Sequence, residues 1–214
     1  MGKDPGEVGH RRCQVAEFNG VVIPTTKVDA EELKAVISRA AKVLREPLEL
    51  RDALPVPQGV EDTVRGQFRA ATLMVRLKSM VPQLGPGRLI GAGETVAAKP
   101  RLDPGAHIFI TDVDMFTEKT DGVIAALLSS KKLAVISVRR LREAFYRRKA
   151  DPVKQRSRVV KELLRMVGRL RGLRECSDPK CILASSRMIA DIDMKDERYC
   201  RTCEQIMFDG TMRL

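Results

Sequence analysis

Tryptophan is absent from this chain of 214 residues, and tyrosine and histidine occur only twice each. The scarcity of aromatic rings argues against a platform that stacks single-stranded bases, because such platforms need several exposed rings. The two histidines, His10 and His107, are far apart in the sequence. A metal site built from three histidines is therefore excluded, and with it one common kind of catalytic zinc centre.

Long apolar runs are also missing. No stretch reaches the length needed to cross a membrane, and the segment from Met1 to Gly6 lacks the apolar core of a secretory signal peptide. The sequence predicts a cytoplasmic protein with no membrane partner. Its 43% hydrophobic content suffices for one sizeable core. We expect a flexible N-terminus over 1–14, an α/β domain over 15–175, and a C-terminal part of the same domain over 176–214.

Four of the five cysteines form two short pairs near the C-terminus. Four residues separate Cys176 from Cys181, and two separate Cys200 from Cys203. Such pairs can close a tetrahedral four-thiolate shell, since each turn directs two thiolates at one point. Disulfides or free thiols are the alternative, which the missing signal peptide disfavours. The spacing predicts one structural Zn²⁺ whose four positions are all filled by protein.

The segment before these cysteines has the period of an amphipathic helix. Its apolar residues recur at spacings of three and four: Val159, Val160, Leu163, Leu164, Val167, Leu170 and Leu173. Asp151 and Pro152 suit its start, and Gly172 suits its end. We expect one face of this helix to enter the core and the other face to be basic.

The chain's positive charge is concentrated around this helix. Val138 to Arg174 contains 14 basic and three acidic residues, and the difference of +11 equals the net charge of the whole chain. A basic stripe of this kind attracts polyanions such as nucleic acid. The candidate anion-binding residues are Arg158, Lys161, Arg165 and Arg169. The alternative is a solvated helix face that is partly neutralised by acidic residues folded over it.

Upstream of the helix, candidate strands alternate with candidate helices, which predicts a three-layer α/β body. The candidate strands are Val15–Thr25, Leu48–Leu54, His107–Thr111, Val123–Leu128 and Leu133–Val138. One helix is expected after Asp29, with a periodic apolar face. A second is expected from Glu61 to Met80, with Phe68, Ala71, Thr72, Val75 and Leu77 among its core contacts. The Gly- and Pro-rich stretch from Gly85 to Gly105 suggests a loop or short hairpin.

The sequence resembles the archaemetzincin family of zinc metallopeptidases. The similarity lies in these blocks: Leu54–Pro57, Arg65–Ala70, Ile110–Phe116, Ala134–Tyr146, Val159–Glu162, and the frame of Gly168, Gly172, Cys176, Cys181, Cys200 and Cys203. The resemblance covers most of the chain. It implies a metzincin-like twisted mixed sheet, followed by an active-site helix and a small C-terminal part that holds zinc.

The family's catalytic motif is H-E-x-x-H-x-x-G-x-x-H-C, in which three histidines bind catalytic zinc and the glutamate is the general base. Alignment through Gly172 and Cys176 puts other residues at all four functional positions: Arg165, Met166, Arg169 and Glu175. Arginine stays protonated and offers zinc no lone pair. The methionine expected after the second cysteine is Leu183, a milder change because leucine can supply a similar apolar floor.

These replacements predict a non-catalytic protein of archaemetzincin type, with no catalytic zinc, that binds a peptide, a protein or a polyanion. We expect Arg165, Glu175 and Arg169 to form an ion cluster in place of the metal; solvent-exposed arginines are the alternative. A zinc peptidase with unrecognised ligands is the alternative function, for which Glu175, Asp112 and Asp114 are the candidate carboxylates, although no two of them share a metal-binding spacing with His107.

Overall fold

A computed structural model describes residues 20–91, 95–97 and 105–209 of this protein. The predicted flexible N-terminus therefore lies outside the described residues. The strands are β1 (Gly20–Pro24), β2 (Leu48–Leu50), β3 (Glu61–Asp62), β4 (Gln67–Arg69), β5 (Arg88–Ile90), β6 (Thr95–Ala97), β7 (Ala106–Thr111), β8 (Met115–Phe116), β9 (Ala125–Leu128) and β10 (Leu133–Ser137). The α-helices are α1 (Ala30–Leu44), α2 (Ala70–Met80), α3 (Pro152–Leu170), α4 (Ile189–Met194) and α5 (Arg201–Asp209).

Seven strands form one mixed sheet in the order β6-β5-β2-β1-β7-β10-β9. The four central strands, β2, β1, β7 and β10, are parallel to one another. The outer strands β5, β6 and β9 pair antiparallel. A second, three-stranded sheet has the order β3-β4-β8. The predicted mixed α/β fold is confirmed, and the stretch predicted as a short hairpin contains the β5–β6 pair.

The central strands bury both of their faces, because helices cover each side of the sheet. Ile108 and Ile110 of β7 belong to a core shared with α1 and α3. Phe109, which points the opposite way, belongs to the core under α2. Alternate residues of a strand face opposite sides. The molecule thus has three layers, with α1 and α3 on one face of the sheet and α2 on the other.

Helix α1 follows the predicted pattern closely. The Asp29 side chain accepts a hydrogen bond from the backbone N–H of Glu32 at 2.7 Å, which satisfies one of the free donors at the helix start. The buried residues are those that the apolar period selects: Leu33, Val36, Ile37, Ala40, Ala41 and Leu44. Burial of this face stabilises the helix against the sheet.

The prediction of one helix from Glu61 to Met80 is wrong in its first half. Asp62 accepts hydrogen bonds from the backbone N–H groups of Val64 and Arg65, both at 3.1 Å, and Gly66 has a positive φ of 62°. These features close a tight turn, so β3 and β4 form a hairpin and α2 begins only at Ala70.

The buried face of α2 also differs from the predicted one. The buried residues are Ala70, Leu73, Met74 and Leu77. Of the predicted core contacts Leu77 is buried and Phe68 half-buried, whereas Ala71, Thr72 and Val75 are exposed. The four buried residues follow the i, i+3, i+4, i+7 spacing of a single helix face, whereas the predicted set combined residues from more than one face.

Helix α3 has the predicted boundaries within a few residues, but not the predicted two faces. The Asp151 side chain caps its start by accepting from the backbone N–H of Lys154 at 2.9 Å, and Gly172, with φ of 93°, leaves the helical path. Every residue from Arg158 to Gly168 is buried. The expectation of a basic exposed face is therefore wrong for this part of the helix.

No helix among the described residues is long and apolar enough to cross a membrane.

Candidate functional site

The four cysteines predicted to bind zinc come together at one point. The sulfur atoms of Cys176, Cys181, Cys200 and Cys203 all lie within 4.8 Å of one another. Those of Cys176 and Cys200 are 3.8 Å apart. This matches the edge of a tetrahedron whose Zn–S bonds are about 2.3 Å long, and it is well beyond a disulfide bond. The sulfurs therefore fit the ligand shell of one tetrahedral metal ion.

Short backbone turns direct the thiols inward. The N–H of Cys181 donates to the carbonyl of Asp178 at 3.0 Å, which closes the first turn. The N–H of Cys200 donates to the Cys181 sulfur at 3.4 Å and so links the two pairs. Cys203 lies in α5, whose start brings it back toward Cys200. The local spacing alone positions two thiols in each pair.

Burial makes two of the thiols, Cys181 and Cys203, poor acids in the absence of a cation. Desolvation raises the pKa of Cys181 to about 11 and the pKa of Cys203 still further. At Cys200 burial acts in the same direction, but hydrogen bonds from Cys203 and neighbouring thiols outweigh it and lower the pKa. A bound metal ion supplies the positive charge that four thiolates require. Among the described residues, this is the only group of three or more His, Cys, Asp or Glu side chains placed to hold a metal ion.

The segment after Cys181 lies directly on α3. Leu183, at the position of the family's methionine, is fully buried, and a Cβ on Gly168 would be 2.8 Å from its Cδ2 atom. The ring of Tyr199 would lie 3.2 Å from that Cβ, and its hydroxyl donates a hydrogen bond to the Leu164 carbonyl at 2.9 Å. Gly168 thus allows the cysteine-rich part and the helix to approach closely.

Arg165, at the first histidine position, forms an ion pair inside the protein. Its Nε and Nη2 atoms lie 2.9 and 2.7 Å from one carboxylate oxygen of Glu162, one helical turn earlier. Burial alone raises the pKa of Glu162, but Arg165 outweighs it and holds that pKa below its usual range. Met166, at the position of the catalytic glutamate, is also buried.

The other carboxylate oxygen of Glu162 binds the segment after the second cysteine. It accepts a hydrogen bond from the Ser186 hydroxyl at 2.7 Å and lies 3.8 Å from the Lys195 ammonium. Lys195 also donates to the Ala184 carbonyl at 2.5 Å. Desolvation lowers the pKa of Lys195 to about 8, against the attraction of Glu162. Sequence reasoning missed this cluster, although Glu162 stands out as an acid one turn before Arg165.

The predicted Arg165–Glu175–Arg169 cluster does not form. Arg165 has Glu162 as its partner, and Arg169 donates to the Leu173 carbonyl at 3.0 Å. Glu175 is exposed. The prediction failed because the acid three residues before Arg165 on the same helix can reach it, whereas Glu175 lies beyond the turn at Gly172.

Arg158 does not form part of an anion-binding surface either. Its side chain is 0% exposed and is surrounded by acceptors. The guanidinium binds both oxygens of Asp193 at 2.7 Å, one oxygen of Glu143 at 2.6 Å and the Leu141 carbonyl at 2.8 Å. Lys161 is buried as well and donates to the Ile192 carbonyl at 3.1 Å. These charges, like that of Arg165, are taken up by internal partners. The exposed basic residues lie elsewhere, for example at Arg147 and Lys149.

The groups considered as other metal ligands are also separate from α3. His107 is fully buried on the α2 face of β7, where its Nε2 lies 3.0 Å from the Lys78 ammonium. Asp112 accepts from Arg142, and Asp114 accepts from both Arg140 and Gln67. The sheet lies between His107 and α3, so this histidine cannot complete a metal site on that helix.

Strand β9 forms one edge of the large sheet, beside the C-terminal half of α3. A cavity of about 290 Å³ lies at the end of this edge, lined in part by Ser129, Lys132, Arg169 and Leu173. A second cavity of about 370 Å³, lined partly by Met74 and by Ala126, Leu127 and Leu128 of the strand, adjoins β9 beside α2. The edge strand thus has a cavity on each side, and these cavities can accept side chains of an extended peptide.

A family profile and individual curated proteins both match this chain, and both belong to the archaemetzincins. The sequence profile of Peptidase family M54 matches residues 101–208, half of the chain. A curated archaemetzincin from Natronomonas pharaonis is 29% identical over 187 residues, which cover 83% of this chain and 95% of that protein. An archaemetzincin from Saccharolobus solfataricus is 35% identical over 102 residues, covering 45% of this chain and 56% of the relative, so this match spans about half the relative's length.

Solved structures share the fold. A zinc-dependent peptidase from Methanocorpusculum labreanum superposes with a TM-score of 0.74 at 22% identity, over 88% of this chain and 99% of that one. An archaemetzincin from Archaeoglobus fulgidus, solved with malonate, gives a TM-score of 0.64 at 20% identity, over 87% and 98%. The matching profile, the shared fold and the four-cysteine frame together show that the chain belongs to the archaemetzincin family, Peptidase family M54.

Proposed function

We propose that this chain is a non-catalytic archaemetzincin that carries one structural zinc and binds a peptide or protein partner. One observation carries the proposal. At the first histidine position of the catalytic motif, Arg165 is bound to the buried carboxylate of Glu162. A guanidinium in an internal ion pair can neither ligate zinc nor act as a base at neutral pH. A hydrolytic zinc needs protein ligands and an open position for water, and these residues do not fit such a centre.

Metal content tests the inactive state directly. Purified protein is expected to contain about one zinc per chain, lost on changing Cys200 to serine, because within the part of the chain that the structure describes only the cysteine shell fits the ion. Elemental analysis by mass spectrometry measures the ratio. Two zinc ions per chain, one of them retained in the Cys200→Ser variant, would favour the alternative of a peptidase with unrecognised ligands. A cytoplasmic location belongs to the proposal, since a reducing compartment keeps the thiols available for zinc.

The free edge of β9 supports peptide binding. The Ile124 carbonyl accepts from the N–H of Ser137 at 2.8 Å, which makes these two residues a hydrogen-bonded pair of the ladder. Such pairs alternate along antiparallel strands, so the backbone N–H and C=O groups of Ala125 and Leu127 point away from β10. Among the described residues no further strand pairs with them. An extended peptide can therefore add to the sheet through main-chain hydrogen bonds.

A proline substitution tests this mode of binding. Ala125→Pro removes an outward N–H but no ladder bond to β10, and Ala125→Val keeps the N–H as a matched control. A library of random decapeptides is the probe. We expect wild type and Ala125→Val to retain peptides that Ala125→Pro releases, and mass spectrometry to find the retained peptides uncut. Equal retention by both variants would refute binding at this edge, and cleaved peptides would refute the non-catalytic state.

The polyanion alternative finds little support in this geometry. Of its four candidate residues, Arg158, Lys161 and Arg165 are buried with internal partners. Arg169 is the remaining one, and it already donates to the Leu173 carbonyl. A phosphate backbone requires exposed cations, so we do not assign that role to α3.

A further inference from the structure

Another cavity, separate from the two beside β9, lies at the carboxyl ends of the parallel strands, and it shares no lining residue with the cysteine cluster or the motif positions. From β1 the chain passes through α1 to β2 on one side, whereas β7 pairs with the other side of β1. Open α/β sheets bind ligands in the crevice at such a switch point. The cavity is lined by Ile110 at the end of β7, Val138 just after β10, and residues at the starts of α1 and α3.

The floor of this cavity is aliphatic and its volume is small. Its apolar lining residues are Val28, Leu33, Val36, Ile110, Val138 and Val159. The volume of about 100 Å³ compares with the roughly 10–15 Å³ that one water needs on the same kind of measure. The cavity therefore holds a ligand of only a few non-hydrogen atoms, one end of which is apolar.

Helix α3 contributes a cation to the lining, Arg156. Its Nε atom is buried and has no hydrogen-bond partner among the described residues. Buried polar atoms nearly always have a partner, so an orphaned donor beside a cavity calls for an acceptor within it. Gln155 lines the same wall, and Arg142 next to it already donates to Asp112. A ligand carboxylate suits Arg156, because guanidinium binds planar oxyanions in a forked geometry.

The wall formed by the start of α1 is acidic, unlike the basic wall formed by α3. Asp29 and Glu32 both line it, and Asp29 is occupied by its cap on the helix. Glu32 is exposed, and its carboxylate makes no hydrogen bond within the described residues. A simple anion would be repelled by these two acids. A ligand with an ammonium group as well as a carboxylate satisfies both walls at once, and the nearby Lys27 offsets part of the acidic charge.

We propose that this cavity is a binding site for a small aliphatic α-amino acid, whose carboxylate pairs with Arg156, whose ammonium faces Glu32 and whose side chain lies on the valine and leucine floor. The site is independent of the proposed peptide binding at β9. It assigns to the chain a small-molecule ligand besides any protein partner. The carboxylate, the ammonium group and the aliphatic side chain of the ligand are thus each recognised by a different part of the lining.

Isothermal titration of the full-length protein with L-valine tests the site. We expect saturable binding to wild type, a loss of at least about tenfold in Arg156→Gln, and unchanged binding in Arg139→Gln, a matched change at an exposed arginine outside the cavity. N-acetyl-L-valine lacks the ammonium and L-valinamide lacks the carboxylate. Both should bind at least about tenfold more weakly than L-valine.

Several results would overturn the proposal. They are no binding of L-valine to wild type, equal binding by Arg156→Gln, or binding of N-acetylvaline or inorganic phosphate as tight as that of valine. The substitution is not expected to unfold the protein, because the Nε atom of Arg156 makes no hydrogen bond within the described residues that its loss would break. The melting temperature of ligand-free Arg156→Gln should be no lower than that of wild type, and circular dichroism checks this in the same samples.

Discussion

The cysteine cluster and helix α3 are in contact, yet they keep different parts of the family's pattern. The cluster retains all four ligands, with sulfurs within 4.8 Å of one another. The helix has a capped start and the close-packed Gly168, but Arg165, at the first histidine position, is bound to Glu162 inside the protein. A structural metal site and a catalytic one on adjoining elements can therefore change independently, because each depends on its own side chains.

The largest effect is expected from the cluster. Cys203→Ser removes one thiol of the proposed zinc site, and structural zinc contributes an apparent binding free energy on the order of 10 kcal/mol in small zinc domains. We expect the C-terminal part to become sensitive to protease, measured by limited proteolysis with mass spectrometry. Cys13→Ser, outside the cluster, is the control. Unchanged protease resistance of Cys203→Ser would contradict a structural role for the metal.

A smaller but still large effect is expected inside the helix. Arg158→Met leaves the carboxylates of Glu143 and Asp193 facing each other without their buried cation. Removing one partner of a buried ion pair costs about 3–5 kcal/mol. Chemical denaturation measures the free energy of unfolding, with Arg148→Gln as control, since that side chain is 61% exposed and its pair with Glu143 is long at 3.4 Å. Equal losses of unfolding free energy in the two variants would show that the burial of Arg158 adds nothing to its contribution to stability.

The contact between the two regions can be tested at Gly168. Gly168→Ala adds a Cβ 2.8 Å from Leu183 and 3.2 Å from Tyr199, and overpacking of this kind costs about 1–3 kcal/mol. Gly85→Ala is the matched control, because a Cβ there meets nothing within 4 Å. Differential scanning calorimetry compares the two. A Gly168 variant as stable as the Gly85 variant would mean that the cysteine part and the helix pack loosely.

Acid should weaken the helix through its ion pairs. Burial raises the pKa of Asp193, but the hydrogen bonds and charge of Arg158 outweigh it and lower that pKa in the folded protein. The unfolded chain then binds the proton first, so the stabilisation is complete above about pH 4 and is lost as pH falls through the folded value. Asp193→Asn should flatten this limb of the stability curve between about pH 5 and 2. An unchanged slope would exclude Asp193 as its source.

The smallest effect is expected at the third histidine position. Glu175 is exposed and has no ion-pair partner among the described residues. Exposed substitutions of this kind usually change stability by less than about 0.5 kcal/mol. Glu175→Gln should therefore melt with wild type in a thermal scan, while Glu162→Gln, which orphans Arg165, should melt well below both. A clearly lower melting temperature of the Glu175 variant would instead support the predicted ion cluster of Arg165, Glu175 and Arg169.

Local patterns were enough to predict the features that depend on neighbouring residues. The capped, periodic helix after Asp29 and the two cysteine turns are of this kind. The burial of Arg158 depends instead on Glu143, 15 residues away, and on Asp193, 35 residues away. No periodic pattern within α3 contains those partners, so its basic residues were interpreted as an exposed face. The turn at Gly66 depends on the side chain of Asp62 and on the positive φ of the glycine, neither of which the spacing of the apolar residues after it indicates.

The hydroxyl of Tyr199 and the space left by Gly168 have a consequence for how the protein reaches its folded state. Tyr199 immediately precedes Cys200, and it donates to a carbonyl in the middle of α3. Tyr199 therefore couples the proposed metal site to the interior of the domain, because an ion bound at Cys200 fixes the neighbouring residue that covers the gap at Gly168. Addition of zinc is then expected to raise the free energy of unfolding of the whole domain and not only of its C-terminal part.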